Sequence, residues 1–313
     1  MTDAEALLGA ARRPLVIGMG GGGDVVGALA TAEACRIYHG AAPILGGTTW
    51  ERTAIDPRPG PRSLDEVDGG ERLSPYVLAA DGSTRSGEVL FAESHMAGLL
   101  GERTLLIDPG GGTAGVAEGV RAVASTVAAD LVVFVDVGGD ALAHGDEAGL
   151  ASPLCDAVFL AAAAQLAEDG LGVLVGVFGV GCDGELTPDE VLERVAEVAA
   201  AGGFAGVRGI TPPVAERLAA AVEVVPTEAS AQALRCFRGE TGSAAIRWGR
   251  RTVPLSPLGA LTIYLDPRAT VASAARLAAA VADAGSLEEA NDRLHELGVR
   301  TELDIERERA ASA

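Results

Sequence analysis

Residues 130–140 read DLVVFVDVGGD. Leu131 to Val137 is apolar at every position but Asp136, with no alternation of apolar and polar residues. That is the pattern of a strand covered on both faces, the habit of parallel sheets. The next residues, ALAHGDEAGLASPLCDA, reverse the character of the chain. Asp140, Asp146, Glu147 and Asp156 follow Asp136 closely, with His144 and several glycines between them. In open parallel sheets ligands bind outside the carboxyl ends of the strands, so a buried strand running into carboxylates and glycine predicts a site there.

Working outward, apolar runs alternate with segments of helical periodicity. Residues 13–20, 42–47, 74–82, 103–112 and 171–184 read as further strands, the third of them weaker. Residues 24–39, 89–100, 115–129, 153–169, 187–202 and 211–225 read as helices. Thr187 is the expected N-cap of its helix, with Pro188 at the first position and Glu190 closing a capping box. Ser152 and Pro153 have the same form, so Ser152 is read as a cap and Asp156 as part of the helix start. This order predicts a Rossmann-like α/β fold, a mostly parallel sheet with helices on both faces. Residues 1–225 form the expected core. Beyond Pro226 the pattern changes to a helix, two strands and two helices, read as a small C-terminal α+β extension (226–313) packed on the core.

Composition narrows the chemistry. The 313 residues are 48% hydrophobic, enough for a sizeable core. Aromatic residues make up only 4% and the net charge is −20, which argue against nucleic acid and against an anionic membrane surface. All basic residues are arginine, and no lysine occurs anywhere. That excludes pyridoxal phosphate bound as a Schiff base, and also a P-loop lysine. Cys35, Cys155, Cys182 and Cys236 show no CxxC spacing, so neither a zinc ribbon nor a redox dithiol is indicated. No apolar run is long enough to span a membrane, and the opening MTDAEALLGAARR lacks a secretory core, so the expected compartment is the cytoplasm. An apolar face in the C-terminal part permits a homo-oligomer.

Five loops at strand ends combine glycine with acids or hydroxyls. The first holds Gly20, Gly21, Gly22, Gly23 and Asp24, and the second Thr48, Thr49, Glu51 and Arg52. The third holds Gly110, Gly111 and Gly112, and the fourth Asp136, Gly138, Gly139, Asp140, His144 and Glu147. The fifth holds Cys182, Asp183 and Glu185. All are candidate ligand-binding positions. The first loop matches GxGxxG, but the second strand ends in GGTT and Glu51 arrives late, so NAD(P) is not favoured. Asp24 sits where a phosphate disfavours a carboxylate, and it is read as a helix cap or as facing a cation or a hydroxyl. Residues 48–67 are too long and too proline-rich for a tight turn and read as a lid or specificity loop in which Arg52, Arg58 and Arg62 can grip an anion. Asp136, Asp140, His144 and Asp183 are the candidate catalytic groups. Asp136 and Asp140 are also the candidate ligands of a hard cation such as Mg²⁺.

The runs GMGGGGDVVGA, WERTAIDPRPGP, VDVGGDALAHGDEAGLASPLCDA and GVGCDGELT, with the ending ANDRLHELGVRTELD, resemble the DUF1152 family over nearly the whole chain. The resemblance implies a Rossmann-like fold and carries no residue roles. The residues themselves favour a cytoplasmic enzyme acting on a small polar metabolite bearing phosphate or carboxylate, as a hydrolase or group transferase. A metal-independent lyase or cyclase on an amino or hydroxy acid is the second reading. A non-catalytic nucleotide or metabolite-binding protein is the third.

Overall fold

The computed structural model describes residues 2–247 and 249–312. Among the described residues thirteen strands form. They are Pro14–Gly18 (β1), Ile44–Thr48 (β2), Glu71–Ser74 (β3), Val77–Ala80 (β4), Arg85–Ser86 (β5), Val89–Leu90 (β6) and Thr104–Ile107 (β7). Leu131–Val137 (β8), Val173–Phe178 (β9), Phe204–Gly209 (β10), Gly242–Ile246 (β11), Arg251–Leu255 (β12) and Leu261–Leu265 (β13) complete the set. Nine of them make one mixed sheet in the order β10-β13-β9-β8-β1-β2-β7-β4-β3. The central five, from β9 to β7, are parallel, and the added strands pair antiparallel at either side.

The valine-rich stretch is where it should be. Every residue of β8 is buried, and the strand lies between β1 and β9. Successive side chains of a strand point to opposite faces. Val132 and Phe134 accordingly join one core, and Val133 and Val135 join the other. On the first face lies the helix Pro153–Glu168, apolar almost all round and buried along most of its length, as expected for a helix surrounded by protein. Phe159 of this helix meets Phe134 edge to face at 6.3 Å. On the second face lie the helices Asp24–His39 and Pro212–Val224. Among the described residues no helix is long and apolar enough to cross a membrane.

Several details go beyond the sequence reading, among them the first C-terminal strand, which is a hairpin of β11 and β12. The helix expected over 89–100 begins at Ala92, because Val89–Leu90 form a short strand with Arg85–Ser86. Strands β3 and β10 were not expected. Both are sheet edges, with short or glycine-containing sequences and mostly exposed or half-buried residues, so they carry no clear apolar run. Within the C-terminal stretch, β13 sits inside the main sheet between β9 and β10.

The order of the strands locates the site. The chain moves from β1 outward through β2 to β7, then returns to the other side of β1 to lay down β8 and β9. The direction of winding therefore reverses between β1 and β8. Loops leaving these two strands part to opposite faces and open a crevice.

Candidate functional site

Asp24 follows β1 and Asp136 is the sixth residue of β8, so the two flank the reversal point. Asp156, in the first turn of the helix Pro153–Glu168, completes a triad with them, one carboxylate oxygen from each lying within 4.8 Å of the others. Asp140, Asp183 and Glu185 form a second triad on the same criterion. The carboxyls of Asp136 and Asp140 are within hydrogen-bonding reach, so the two triads share a boundary. The pair that the sequence suggested for one ion thus stands together at the boundary of two groups.

The local backbone makes room for these acids. A Cβ on Gly20 would lie 2.7 Å from Asp24 Oδ2 and 2.9 Å from Asp156 Oδ2. Gly138 has φ +126°, and a Cβ there would lie 2.1 Å from Asp183 Oδ1. Only glycine fits both demands at 138. Asp24 is not the cap of its helix. It occupies the first helical position, Gly23 is the cap, and the Asp24 side chain accepts from the Gly20 N–H at 3.1 Å. The Gly22 N–H is engaged by the Trp50 carbonyl at 2.8 Å.

All six carboxylates are buried. Burial pushes Asp24 up to about 6, against the pull of Arg52, and Asp136 up to about 7, helped by the charge of Asp24. Asp156 is raised well above its ordinary value by burial and then by Asp136 and Asp24. Asp140 and Asp183 are raised likewise, by burial first and then by their acidic neighbours. Glu185 differs. Burial opposes its charge, but Arg247 and Arg251 outweigh burial and hold it below its ordinary range. Its oxygens accept from the N–H groups of Ala151 (2.7 Å) and Ser152 (2.9 Å), from Ser152 Oγ (2.6 Å) and from Arg247 (2.9 Å). By contrast Asp136 Oδ1, Asp156 Oδ1 and Asp183 Oδ1 are buried with no hydrogen-bond partner among the described residues.

Ser152 therefore acts on Glu185 and does not cap its own helix. The first amides of that helix, Leu154 and Cys155, donate instead to Glu302 from the far end of the chain.

The loop after β2 stands over the triads. Arg52 is exposed, and its stem passes close over Gly22. Among the described residues its guanidinium makes no hydrogen bond and no ion pair within 4.0 Å. Its surroundings disfavour charge, yet Asp24, Glu185, Asp140 and Asp183 together raise it above its ordinary value. Arg58 and Arg62 are committed elsewhere, to Glu66 (2.9 Å) and to Asp56 (2.6 Å). The loop is fastened at Glu306, which accepts from Trp50 Nε1 at 3.0 Å and from the Gly60 N–H at 2.8 Å. Glu51 accepts from the Ala92 N–H at 2.6 Å, and burial pushes it up to about 7. The neighbouring Glu93 is raised well above its ordinary value by burial and by Glu51. Thr48 Oγ1 accepts from the Trp50 N–H, and Thr49 is buried with its hydroxyl unpartnered.

Other expected positions fall outside this cluster. Gly110, Gly111 and Gly112 are packed by Asp108, by Tyr76 and by the backbone of Ala284 and Ser286, none of which belongs to the acidic group. His144 faces Glu197 at 3.3 Å. Glu147 accepts from the N–H groups of His144 and Gly145, both at 2.8 Å, and serves that turn. Gly139 packs against Val191. Cys182 lies buried in contact with Cys236 beside Gly259, and the contact and burial raise its thiol far above the ordinary range.

Sequence reasoning noted Asp156 but assigned it to the helix start, and passed over Glu93, Glu302, Arg247 and Arg251. Asp156 and Glu93 carried a usable signal, a carboxylate on an otherwise apolar helical face. The others reach the site only through the tertiary fold.

An α/β protein with two buried carboxylate triads at the reversal point of its sheet is the class that fold and site define. The family model described as "Protein of unknown function (DUF1152)" matches residues 15–310, and the chain belongs to that family. No curated protein and no solved structure matches it.

Proposed function

We propose that the chain is a cytoplasmic enzyme that uses a hard divalent cation, held by Asp24, Asp136 and Asp156, to act on a small anionic metabolite as a hydrolase or group transferase. One observation carries the reading. Asp136 Oδ1 and Asp156 Oδ1 are buried, have no donor among the described residues, and belong to the triad that includes Asp24. Burying charged oxygens without partners is strongly unfavourable. A cation bound among them supplies the missing charge, and an all-oxygen donor set suits Mg²⁺ or Mn²⁺. Such a cation polarises a substrate oxygen or lowers the pKa of a bound water.

The remaining parts come from the chain itself. Arg52 has an unengaged guanidinium above the acids, suited to a phosphate or carboxylate of the substrate. Isothermal titration of metal-stripped protein with Mg²⁺ and Mn²⁺, followed by a turnover screen of phosphorylated and carboxylated metabolites, tests it. Saturable binding and turnover lost in Asp136→Asn support it; full turnover in that variant sinks it.

The raised carboxyls favour a second reading, a metal-independent lyase or cyclase in which Asp136, held near neutrality, passes protons itself. Turnover that survives a chelator separates this from the first. Tight ligand binding with no product marks the third, non-catalytic reading.

A further inference from the structure

We infer that a second divalent cation binds between Asp140 and Asp183, next to the first, and that the substrate is a phosphoryl compound, a phosphate monoester or phosphoanhydride, whose oxygens complete both coordination shells. The inference rests on the cation at Asp24, Asp136 and Asp156.

Three observations lead to it. Asp183 Oδ1 is buried and unpartnered within the second triad, and the backbone at Gly138 is kept bare to admit that oxygen. The two triads touch through Asp136 and Asp140, which places their donor oxygens at one boundary. Glu185, although part of the second triad, is already saturated by Arg247, Ser152 and the Ala151 amide, so two carboxylates remain free for a metal. A site with one or two carboxylates and open positions is how Mg²⁺ is commonly held when substrate phosphate supplies the other ligands.

Charge decides between one cation and two. Six carboxylates and the buried Glu302 beside Asp156 face three arginines, Arg52, Arg247 and Arg251. With every carboxylate ionised the site carries four net negative charges. One divalent ion leaves it negative and hostile to a phosphate dianion, whereas two bring it to neutrality. A carboxylate substrate, with a single charge, has no comparable need for the second ion.

In hydrolysis the oxygen of a bound water forms the new P–O bond as the bond to the leaving oxygen breaks. One water proton passes, through a carboxylate, to the leaving oxygen. The other stays on the phosphate, and no oxidant or reductant is required. Paired cations stabilise the attacking and the leaving oxygen together.

The test is stoichiometry on the full chain. Metal-stripped protein is titrated with MnCl₂, bound metal is measured by equilibrium dialysis, and Mn²⁺–Mn²⁺ coupling is read by electron paramagnetic resonance. Inorganic phosphate is the probe anion. The expected result is two ions per chain with a coupled spectrum, and a phosphate affinity that rises about tenfold or more with the second ion. Asp183→Asn and Asp140→Asn, checked for folding by circular dichroism, should each bind one ion. Saturation of the wild-type chain at one ion, or a phosphate affinity indifferent to the second, overturns the inference and leaves the single-cation reading standing. No binding at all removes both.

Discussion

Glu302 accepts hydrogen bonds from the backbone N–H of Leu154 at 3.0 Å and of Cys155 at 2.8 Å, one residue before Asp156. The first turn of a central helix is thus capped by a residue near the other end of the chain. The cap also fixes the backbone from which Asp156 reaches its triad.

Replacing Glu302 by Ala removes both acceptors. The expected loss is about 1–2 kcal/mol of stability, the usual cost of a lost helix cap. Cation affinity should fall with it, because Asp156 is no longer held in place. Urea unfolding and metal titration of the same variant check the two effects separately; unchanged metal affinity would show that the cap serves stability alone.

Asp136→Asn should have opposite effects on stability and binding. It removes one of three crowded, buried charges, so the metal-free variant should melt higher than the metal-free wild type. Its affinity for Mg²⁺ should drop by about 100-fold or more, since loss of even a hydrogen-bond partner behind a metal ligand costs about 10- to 100-fold. Differential scanning calorimetry with and without Mg²⁺ reads both.

The pH dependence follows from the raised carboxyls. Asp24 moves from 3.8 to about 6 and Asp136 from 3.8 to about 7. A group whose folded pKa is raised keeps its proton longer in the folded chain, so below the ordinary value it costs nothing. Stability then declines as pH rises from about 4 to about 7. Metal-free protein should therefore have a higher melting temperature at pH 5 than at pH 8. Saturating Mg²⁺ should reverse the order, because the cation competes with protons and binds best when they have left. A melting temperature independent of pH in the presence of a chelator contradicts this account.

Gly20→Ala tests the crowding directly. The backbone at 20 tolerates alanine, yet the new methyl would press on Asp24 Oδ2 and Asp156 Oδ2 at 2.7 and 2.9 Å. The first cation should bind at least about tenfold more weakly, an upset of ~1.4 kcal/mol or more in ligand geometry. Wild-type affinity in this variant would mean that the triad is not the cation site.

Arg52→Ala should leave the fold unchanged, because the guanidinium makes no ion pair within 4.0 Å among the described residues. Its effect should appear in KM for the anionic substrate with cation affinity little altered. Steady-state kinetics, once a substrate is found, measures it.

Much of this protein is legible in one dimension. The unbroken apolar run of Leu131 to Val137 implies a strand buried on both faces, hence a parallel sheet, hence a site at its carboxyl edge. Asp136 lies near the end of β8, and Asp24, Asp140, Asp183 and Glu185 lie a few residues beyond strand ends; position near a strand's end is a sequence property. Edge strands β3 and β10 escaped because half-exposed strands need no apolar run.

What the residue order could not express is which acids meet. Asp136 and Asp140, four residues apart, do meet, but each also joins a separate group of acids that arrives from other elements. Asp156 comes in on a helix, Glu302 caps that helix from beyond β13, and Arg247 and Arg251 reach Glu185 from a hairpin. Periodicity is local and determines elements. Charge neighbourhoods depend on distances between elements, and only the packed sheet brings those within a few ångströms.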